Sequence, residues 1–568
     1  MKTKERYDVV IIGGGPNGLG ITAYLAKCGL KVCLCEARLE VGGACESIEP
    51  IPGFRIHPHA VINYAAAGPG FEQLELYKYG MRMAWAKVFA AAPTRDHQRC
   101  TVGGRWCPQE TREAMSTISE EAAATTGAIY EIMNSPECKE FLRSIFWTPP
   151  PPEGVTLEPK ELPWVKAIKK LPMLDQVYDD SWLDMSMMDL CDLLVKEDAQ
   201  KAGLCLSSLD NGPDPFSKGM GIFGFADTLL MMYAGSAPLG GMHSYMHALM
   251  RCALAHGATI LTNSKVEEII VEYGEAKGVR LADEAPCRDK VILADKAVIS
   301  ATHVKPTFLE LIAPKHLDKG FIQRVKDINL NGGSLFVFNL IVKESPKFRG
   351  KGGELVNKYN PLLSAFPVDG MEELLNLRRA ICVERRHPIK REEAILRCVY
   401  LSHADRTLCP PGYQILYNFF SVPPPEYHRD GPEAVNKASE ELVALGLEMY
   451  RDYCTNMTDD NIVATFVNTP YDSAFRNIGL VGGNFQAIRA GQDEWWVNRP
   501  LPELSRYRTP IDKLYLCNQT SHPGGLALMG VPYCLMHILI EDLDLKPGSW
   551  WYPSPDYISE REVKAAVV

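Results

Sequence analysis

Near the N-terminus of this 568-residue chain, three glycines and one glutamate have the spacing that a dinucleotide ligand requires. Gly13, Gly15 and Gly18 form the pattern GxGxxG, in which glycine permits a tight turn and lets a pyrophosphate approach the main chain. Glu36 ends the next apolar run, where a carboxylate can bind ribose hydroxyls and repel a 2′-phosphate. These residues predict a site for FAD or NAD rather than for NADP.

The segments around these residues have the pattern of a Rossmann unit. The apolar run at 7–12 predicts a strand, the run at about 17–28 predicts a helix ended by Gly29, and the run at 31–35 predicts a second strand. Because the helix begins at the glycines, its N-terminus directs its partial positive charge toward the phosphates. The local elements therefore agree with the motif.

A glycine pair, Gly42 and Gly43, follows soon after Glu36. This arrangement resembles the extended signature of the two-dinucleotide-binding-domain flavoproteins, in which the chain turns back against the flavin nucleotide. NAD domains do not usually carry this extension. The resemblance therefore implies FAD as the cofactor.

Composition and cysteine placement restrict the class of protein. A formal net charge of -10 and a pI near 5.8 provide no basic surplus, so nucleic acid is not expected as a partner. Seventeen cysteines, none in a CxxC pair, predict free core thiols and no metal site. The apolar stretches 219–243 and 523–540 are interrupted by glycine and proline, which predicts buried core rather than membrane spans. We expect a cytoplasmic protein, and peripheral contact with a membrane stays open.

Three blocks of sequence carry a wider resemblance: the N-terminal unit, "PLGGMHSYMHALMRCALAHGATILTNSKVEEIIV" with the strands that follow it, and "DKLYLCNQTSHPGGLALMGVPYCLMHILIEDL". Together they resemble the phytoene desaturase-like branch of the FAD-dependent amine oxidase superfamily, which includes carotenoid desaturases and isomerases, retinol saturase and terpene dehydrogenases. The resemblance implies an α/β fold, with a Rossmann-like FAD-binding domain and a discontinuous α+β substrate domain. We expect the FAD-binding domain at 1–75, 236–305 and 506–545, the substrate domain at 76–235 and 306–505, and a C-terminal tail at 546–568.

The resemblance also implies which residues contact FAD. Val266 is expected against the adenine, and the "SHPGG" loop with Gly530 around the isoalloxazine. The full expected set is Gly13, Gly15, Pro16, Asn17, Gly18, Glu36, Ala37, Gly42, Gly43, Ala44, Val266, Asn518, Gly530 and Val531. The chain departs from the family at three places: Asn518 replaces a frequent glycine, His57 replaces a frequent acidic residue, and "LALMG" replaces a more glycine-rich run.

The expected reaction is transfer of a hydride between a C–H bond of an apolar, isoprenoid-like substrate and the flavin. His522, His59 and His57 are the candidate acids or bases. His522 is expected at the reactive face of the flavin, and a purely structural role in its loop is an open alternative. The methionine and aromatic residues in 179–194 and 220–233 predict core, or an apolar pocket wall.

No second GxGxxG with its strand and helix is visible, so no separate NAD(P)H site is expected. Electrons would pass to oxygen, a quinone or a partner protein. Three alternatives remain open: a flavin-dependent amine oxidase, a redox-neutral isomerase of the carotenoid type, and a non-enzymatic prenyl carrier of the escort-protein type. The proline-rich segment 148–163 predicts a surface connection, and a lid over the site is the alternative.

Gly15→Val tests the predicted cofactor site, because it places a branched side chain where the pyrophosphate approaches the main chain. We expect the purified variant to lose bound FAD, measured as flavin absorbance after gel filtration. Full retention of the parent's flavin absorbance would show that the glycine loop is not the pyrophosphate site.

Overall fold

The computed structural model describes residues 5–212, 214–287 and 289–567, so residues 1–4 and 568 of the predicted terminal ranges lie outside it. The strands are β1 Arg6–Ile12, β2 Val32–Cys35, β3 Ile48–Ile51, β4 Phe54–Ile56, β5 Met83–Ala84, β6 Ala90–Pro93, β7 Cys100–Gly103, β8 Ala237–Pro238, β9 Thr259–Leu261, β10 Val266–Glu272, β11 Glu275–Leu281, β12 Val291–Ser300, β13 Ser334–Val342, β14 Leu363–Phe366, β15 Leu396–Val399, β16 Gln414–Val422, β17 Ile462–Asn468 and β18 Leu514–Leu516.

The α-helices alternate with these strands and with short 3₁₀ turns. They are α1 Pro16–Lys27, α2 Pro69–Gln73, α3 Pro108–Met115, α4 Glu120–Asn134, α5 Pro136–Phe146, α6 Pro163–Ile168, α7 Met187–Leu194, α8 Asp198–Asp210, α9 Gly221–Ala234, α10 Met242–Ala255, α11 Val304–Leu309, α12 Lys319–Asp327, α13 Gly350–Tyr359, α14 Met371–Arg378, α15 Leu401–Ala404, α16 Ala434–Lys437, α17 Ser439–Tyr453, α18 Pro470–Arg476, α19 Gly530–Asp542 and α20 Glu560–Val567.

The first sheet has the strand order β10-β11-β12-β1-β2-β9, with β18 beside β12. β1 lies between β12 and β2 and is parallel to both. Its apolar residues alternate between two cores: Val9 and Ile11 face the core that contains α1, α10 and α19, and Val10 and Ile12 face the opposite core. A central strand buried on both faces is typical of a Rossmann-like α/β fold. The predicted fold class is confirmed.

The second sheet has the order β17-β13-β16-β15-β14-β6-β7 and is mostly antiparallel. On one face, Phe336 and Phe338 pack in a core with residues of α17 such as Leu442. On the other face, Val337 and Tyr417 lie in a separate cluster and line the main cavity of the protein. Because successive side chains of a strand point to opposite faces of the sheet, one face forms a core and the other forms the cavity wall.

Several predicted elements match the structure closely. The predicted strand at 334–342 is β13, the run at 413–420 lies mostly within β16, and the amphipathic segment 432–453 is divided at Ala438 into α16 and α17. All strands of the first sheet come from the three segments expected to form the nucleotide domain. The domain boundaries themselves stay a prediction.

The proline-rich segment 148–163 is not simply a surface connection. Thr148 and the four prolines that follow it are buried, and the carbonyl of Pro150 accepts a hydrogen bond from Nη1 of Arg506 at 2.6 Å. Because proline has no backbone N–H, a run of prolines can be buried with fewer unpaired donors. The surface location predicted from composition is therefore wrong for residues 148–152.

The stretches considered for membrane insertion are part of the folded core. Residues 530–539 of α19 are all buried, as are most residues of α9. Within the described residues, no helix combines the length and the hydropathy needed to cross a membrane. All seventeen cysteines are free thiols, and fourteen of them are buried.

Gly18→Ala tests how closely α1 approaches β1. A Cβ at Gly18 would lie 1.9 Å from the Gly13 carbonyl oxygen and 3.1 Å from Cβ of Ala301. We expect a loss of about 3 kcal/mol in the free energy of unfolding, at the upper end of the cost of overpacking a core. Urea denaturation of the purified protein measures it.

The matched control is Gly127→Ala in α4, where nothing lies within 4 Å of the added Cβ. Alanine is the better helix former, so this variant should gain about 1 kcal/mol. If Gly18→Ala were as stable as the parent, the close contact between the helix and the glycine turn would be refuted.

Candidate active site

The first glycine loop joins β1 to α1. Gly13 has φ +98°, and its N–H donates to the Cys35 carbonyl at 2.8 Å, which holds the turn against β2. Gly15 is the N-cap of α1; among the described residues no side chain caps the helix, and no acidic residue lies in its first turn. The amides of Asn17 and Gly18 therefore lie at a helix N-terminus that suits an anion.

The second glycine loop packs against the first. The Gly42 N–H donates to the Gly14 carbonyl at 2.8 Å. Gly43 has φ +54°, and a Cβ there would lie 2.9 Å from Cα of Gly15. The next residue, Ala44, lines the main cavity together with Pro16. The two loops thus form one continuous wall, as the glycine pair predicts.

Glu36 lies at the end of β2, with both carboxylate oxygens held by main-chain amides. Oε2 accepts from the Gly14 N–H at 2.6 Å and Oε1 from the Arg38 N–H at 2.8 Å. Burial raises the pKa of this carboxyl, and hydrogen bonds from Arg38 and Gly14 oppose that rise. A fixed carboxylate beside the glycine loop is suited to bind ribose hydroxyls.

A shallow groove adjoins Glu36 and is lined by Ala37, Asn263 and Lys265. The segment that forms it is hydrogen-bonded to the end of β2, since the Ser264 N–H donates to the Glu36 carbonyl at 2.7 Å. Val266 begins β10 and is buried. The residues expected to bind the two parts of the adenosine, Glu36 for the ribose and Val266 for the adenine, therefore lie close together.

Unpaired polar atoms mark the carboxyl edge of the first sheet. Thr302 follows β12 and Asn518 follows β18, and within the described chain the buried Thr302 Oγ1 and Asn518 Nδ2 have no hydrogen-bond partner. Ligands of open α/β sheets bind outside this edge. The two glycine loops, the ribose carboxylate and these unpaired groups together fit a dinucleotide cofactor.

The loop before α19 has an unusual backbone. Leu526, Ala527 and Met529 have φ of +64°, +52° and +58°, a region that favours glycine. Leu526 and Ala527 also line the cavity. At the start of the helix, a Cβ on Gly530 would lie 2.5 Å from Cγ of Pro523, while Val531 is buried in the core. The loop thus keeps a glycine-like conformation where the sequence has larger residues.

A cavity of about 360 Å³ lies between the two glycine loops and the inner face of the second sheet. Most of its wall is aliphatic or aromatic. Apolar residues of its wall include Ile62, Ile129, Met133, Leu204, Met231, Met232, Leu335, Val337, Leu363, Val399, Tyr417, Phe419, Phe485 and Leu526. The methionines of the 220–233 stretch therefore lie partly in the cavity wall, whereas Met187 of the 179–194 stretch is core.

Of the three candidate histidines, only His59 lines this cavity in the described structure. Its Nε2 lies 3.3 Å from Oε1 of Glu46, and its Nδ1 lies 3.3 Å from Oγ of Ser473. Glu46 also pairs with Arg38 and, at 3.3 Å, with Arg476. Burial acts to raise the pKa of Glu46, but the nearby His59 and Arg38 outweigh it and lower the pKa to about 2. His59 is thus held between a permanent anion and a hydroxyl.

His57 instead supports a helix. It is buried, and its Nε2 accepts a hydrogen bond from the Met242 N–H at the start of α10 at 3.1 Å. Burial lowers its pKa to about 4. A neutral imidazole therefore supplies the acceptor at a position where the resembling family often has an acidic side chain.

His522 is fully buried and lies outside the described cavity wall. Its ring packs edge-on against Trp495 and Trp496, with ring centres 4.9 Å apart in each case. Burial, and then the charge of Arg499, lower its pKa to about 3, which makes it a weak base near neutral pH. Within the described residues neither ring nitrogen of His522 has a hydrogen-bond partner, so the backbone hydrogen bond of the structural alternative is not seen. Both the structural and the catalytic role of His522 stay predictions.

The structure brings together residues that the sequence did not single out. Glu46 and Ser473 meet at His59, and Asp210 and Arg397 meet in the cavity wall. Glu40, His243 and His247 also lie with potential ligand atoms within 4.8 Å of one another, and His243 Nε2 bonds the Val41 carbonyl at 2.7 Å. The first two groups are assembled from distant segments and have no local motif, whereas the spacing of His243 and His247, four residues apart on α10, was visible in the sequence.

Comparison with known proteins places this geometry among oxidoreductases. Residues 11–79 match the family described as NAD(P)-binding Rossmann-like domain. The chain is 24% identical to pyridine nucleotide-disulfide oxidoreductase domain-containing protein 2 of Rattus norvegicus, over 95% of this chain and 94% of that protein. It is 22% identical to a limonene dehydrogenase polypeptide of Castellaniella defragrans, over 99% of each chain.

Solved structures share the fold along nearly the whole chain. An oxidoreductase from Methanosarcina mazei matches with a TM-score of 0.56 and 16% identity, over 94% of this chain and 99% of its own. A putrescine oxidase variant matches with a TM-score of 0.55 and 14% identity, over 95% and 100%. The protein is thus an oxidoreductase with a Rossmann-like dinucleotide-binding unit.

Ala527→Gly tests the strain in the loop before α19. Relief of a positive φ should outweigh the entropy that glycine adds to the unfolded chain, so we expect a gain of up to about 1 kcal/mol in the free energy of unfolding. Ala124→Gly, at an exposed position inside α4, is the control and should lose about 1 kcal/mol. Equal losses in both variants, measured by chemical denaturation, would show that the loop is not strained.

Proposed function

We propose that this protein is an FAD-dependent dehydrogenase that desaturates an apolar, terpene-like molecule, as in the phytoene desaturase-like branch of the amine oxidase superfamily. The observation that carries the proposal is the apolar cavity, which reaches Pro16 and Ala44 at the glycine loops and Leu526 and Ala527 at the loop before α19. The similarity to the limonene dehydrogenase polypeptide along 99% of each chain supports this substrate class.

FAD is favoured over NAD by the second glycine loop, which extends the wall of the dinucleotide site toward the cavity. A bound flavin would supply a hydride acceptor. The residues proposed to hold it are Gly13, Gly15, Pro16, Asn17, Gly18, Glu36, Ala37, Gly42, Gly43, Ala44, Val266, Asn518, Gly530 and Val531. Asn518 contributes a buried, unpaired amide, and the N-termini of α1 and α19 contribute main-chain donors.

His59 is proposed to take the proton that leaves the substrate. Ser473 Oγ accepts a hydrogen bond from Asn468 at 2.8 Å and can donate its own proton to Nδ1 of His59. Nε2 of His59 then lies 3.3 Å from Oε1 of Glu46, as an ion-pair contact and not a hydrogen bond. A proton passed through Ser473 to His59 then gives an imidazolium beside the Glu46 carboxylate. With a hydride acceptor bound, a substrate that gave up a hydride to it and a proton to His59 would gain a carbon–carbon double bond.

Charge in the cavity favours an apolar substrate over an amine. Among the described residues of its wall, the only aspartate is Asp210, and it is paired with Arg397. The positive charge of Arg397 beside Asp210 therefore offsets the attraction of that carboxylate for an ammonium group. A redox-neutral isomerase and a prenyl carrier are the other outcomes of the test, although the complete glycine loops favour a protein that binds its cofactor.

The test follows the spectrum of bound flavin under anaerobic conditions. We expect a yellow protein whose flavin bleaches on addition of limonene and does not bleach with putrescine. Bleaching by the amine would identify an amine oxidase, product without net bleaching an isomerase, and a colourless protein that takes up no FAD a carrier. Oxygen, a quinone or a partner protein would restore the oxidised spectrum as the electron acceptor.

His59→Ala should slow flavin reduction by about 100-fold with FAD content unchanged, because general base help is removed. His522→Ala, measured on the same basis, should lose turnover only in proportion to lost FAD. The reverse result would overturn the assignment of His59 and support His522 as the catalytic group.

A further inference from the structure

Two charged residues, Asp210 and Arg397, lie in the largely apolar wall of the cavity. Apart from Asp210 and Arg397, no aspartate, glutamate, lysine or arginine belongs to the described wall. Both are well buried, since their side chains are 13% and 1% exposed. Replacing such a pair by apolar residues of similar volume is often neutral or stabilising, so its presence in a cavity calls for a reason other than stability.

The pair is fixed by a small network between α8, β15 and β16. Arg397 Nη2 donates to Asp210 Oδ1 at 2.6 Å and also bonds Ser421 Oγ. Ser421 Oγ donates to the same Asp210 oxygen at 3.1 Å, and Arg397 Nη1 donates to the Ile395 carbonyl at 2.6 Å. The guanidinium also lies 4.8 Å from the ring centre of Phe419, another wall residue. The two charges are therefore held in one geometry.

Each partner keeps an unused hydrogen-bonding atom. Within the described residues, the buried Nε–H of Arg397 has no acceptor, and no donor contacts Oδ2 of Asp210. An unpaired buried donor is costly, and a ligand that satisfies it gains the corresponding energy. This pair of wall residues, which carries no net charge, thus keeps one donor and one acceptor unpaired.

We propose that Asp210 and Arg397 bind a hydroxyl group of the substrate, which donates to Oδ2 of Asp210 and accepts from Nε of Arg397. A hydroxyl has both functions, whereas a carbonyl or an ether could use only the arginine. A carboxylate would be repelled by Asp210, and an ammonium by Arg397. The substrate class is therefore an isoprenoid alcohol, whose hydroxyl fixes the position of the chain in the cavity. This inference rests on the proposed function of the cavity.

The test compares three compounds with one carbon skeleton: geraniol, its methyl ether and 2,6-dimethyl-2,6-octadiene. Binding is measured by titration calorimetry on the FAD-loaded protein, kept anaerobic with its flavin reduced by dithionite so that no compound is oxidised. We expect geraniol to bind at least about 10-fold more tightly than the hydrocarbon, the gain typical of hydrogen bonds to charged groups. The ether, which cannot donate, should bind like the hydrocarbon.

Asp210→Asn should abolish this preference and leave the affinity for the hydrocarbon unchanged. Asp227→Asn is the matched control, since Asp227 is also a buried aspartate but is not a wall residue; it should keep the preference. If Asp210→Asn does not fold, the three-compound series on the parent protein still decides.

The outcomes separate the two proposals. Equal affinity for alcohol and hydrocarbon, or a preference that survives in Asp210→Asn, overturns the hydroxyl site while flavin bleaching by limonene keeps the proposed function. No binding of any compound together with no bleaching overturns the proposed function, and the hydroxyl site falls with it.

Discussion

The approach of α1 to the turn after β1 is the constraint on which the rest of the structure depends. Gly18 lies over the Gly13 carbonyl so closely that a methyl group cannot fit between them. That contact sets the direction of α1, and with it the helix N-terminus at the mouth of the dinucleotide site. The second glycine loop then packs on Gly15, and the cavity wall continues from it through Ala44. Cofactor position and substrate space are therefore consequences of one backbone contact.

The second sheet forms the opposite wall of the cavity, because the side chains of its strands alternate between the two faces of the sheet. One face of β13 and β16 is committed to a core with α17, so the opposite face is available as a wall. A wall built on paired strands is rigid, and its side chains are held at fixed spacing. This explains how Arg397 can be held in one position beside Asp210, Ser421 and Phe419 in a largely apolar wall.

Local features of the site could be predicted from the sequence, and long-range pairings could not. The strand, helix and strand at the N-terminus are within one residue of their expected ends, because glycine spacing and apolar periodicity are local signals. His57 and His59 are two residues apart and have the same chemistry in the sequence. Only the fold shows that one supports α10 and the other meets Glu46 and Ser473 in the cavity. The buried prolines after Thr148 show the same limit, since composition carries no information on what covers a segment.

The segment from Glu36 to His59 cannot be exchanged for one purpose alone in protein engineering. Arg38 donates its amide to the proposed ribose-binding carboxylate of Glu36 and its guanidinium to Glu46, the partner of His59. The proposed ribose-binding carboxylate and the proposed acid–base histidine therefore lie on one short stretch of chain, and both are linked to Arg38. A chimera that exchanged this stretch to alter cofactor preference would also exchange His59. Ser473 and Arg397 lie on distant segments, so a chimera limited to this stretch would leave both of them in place.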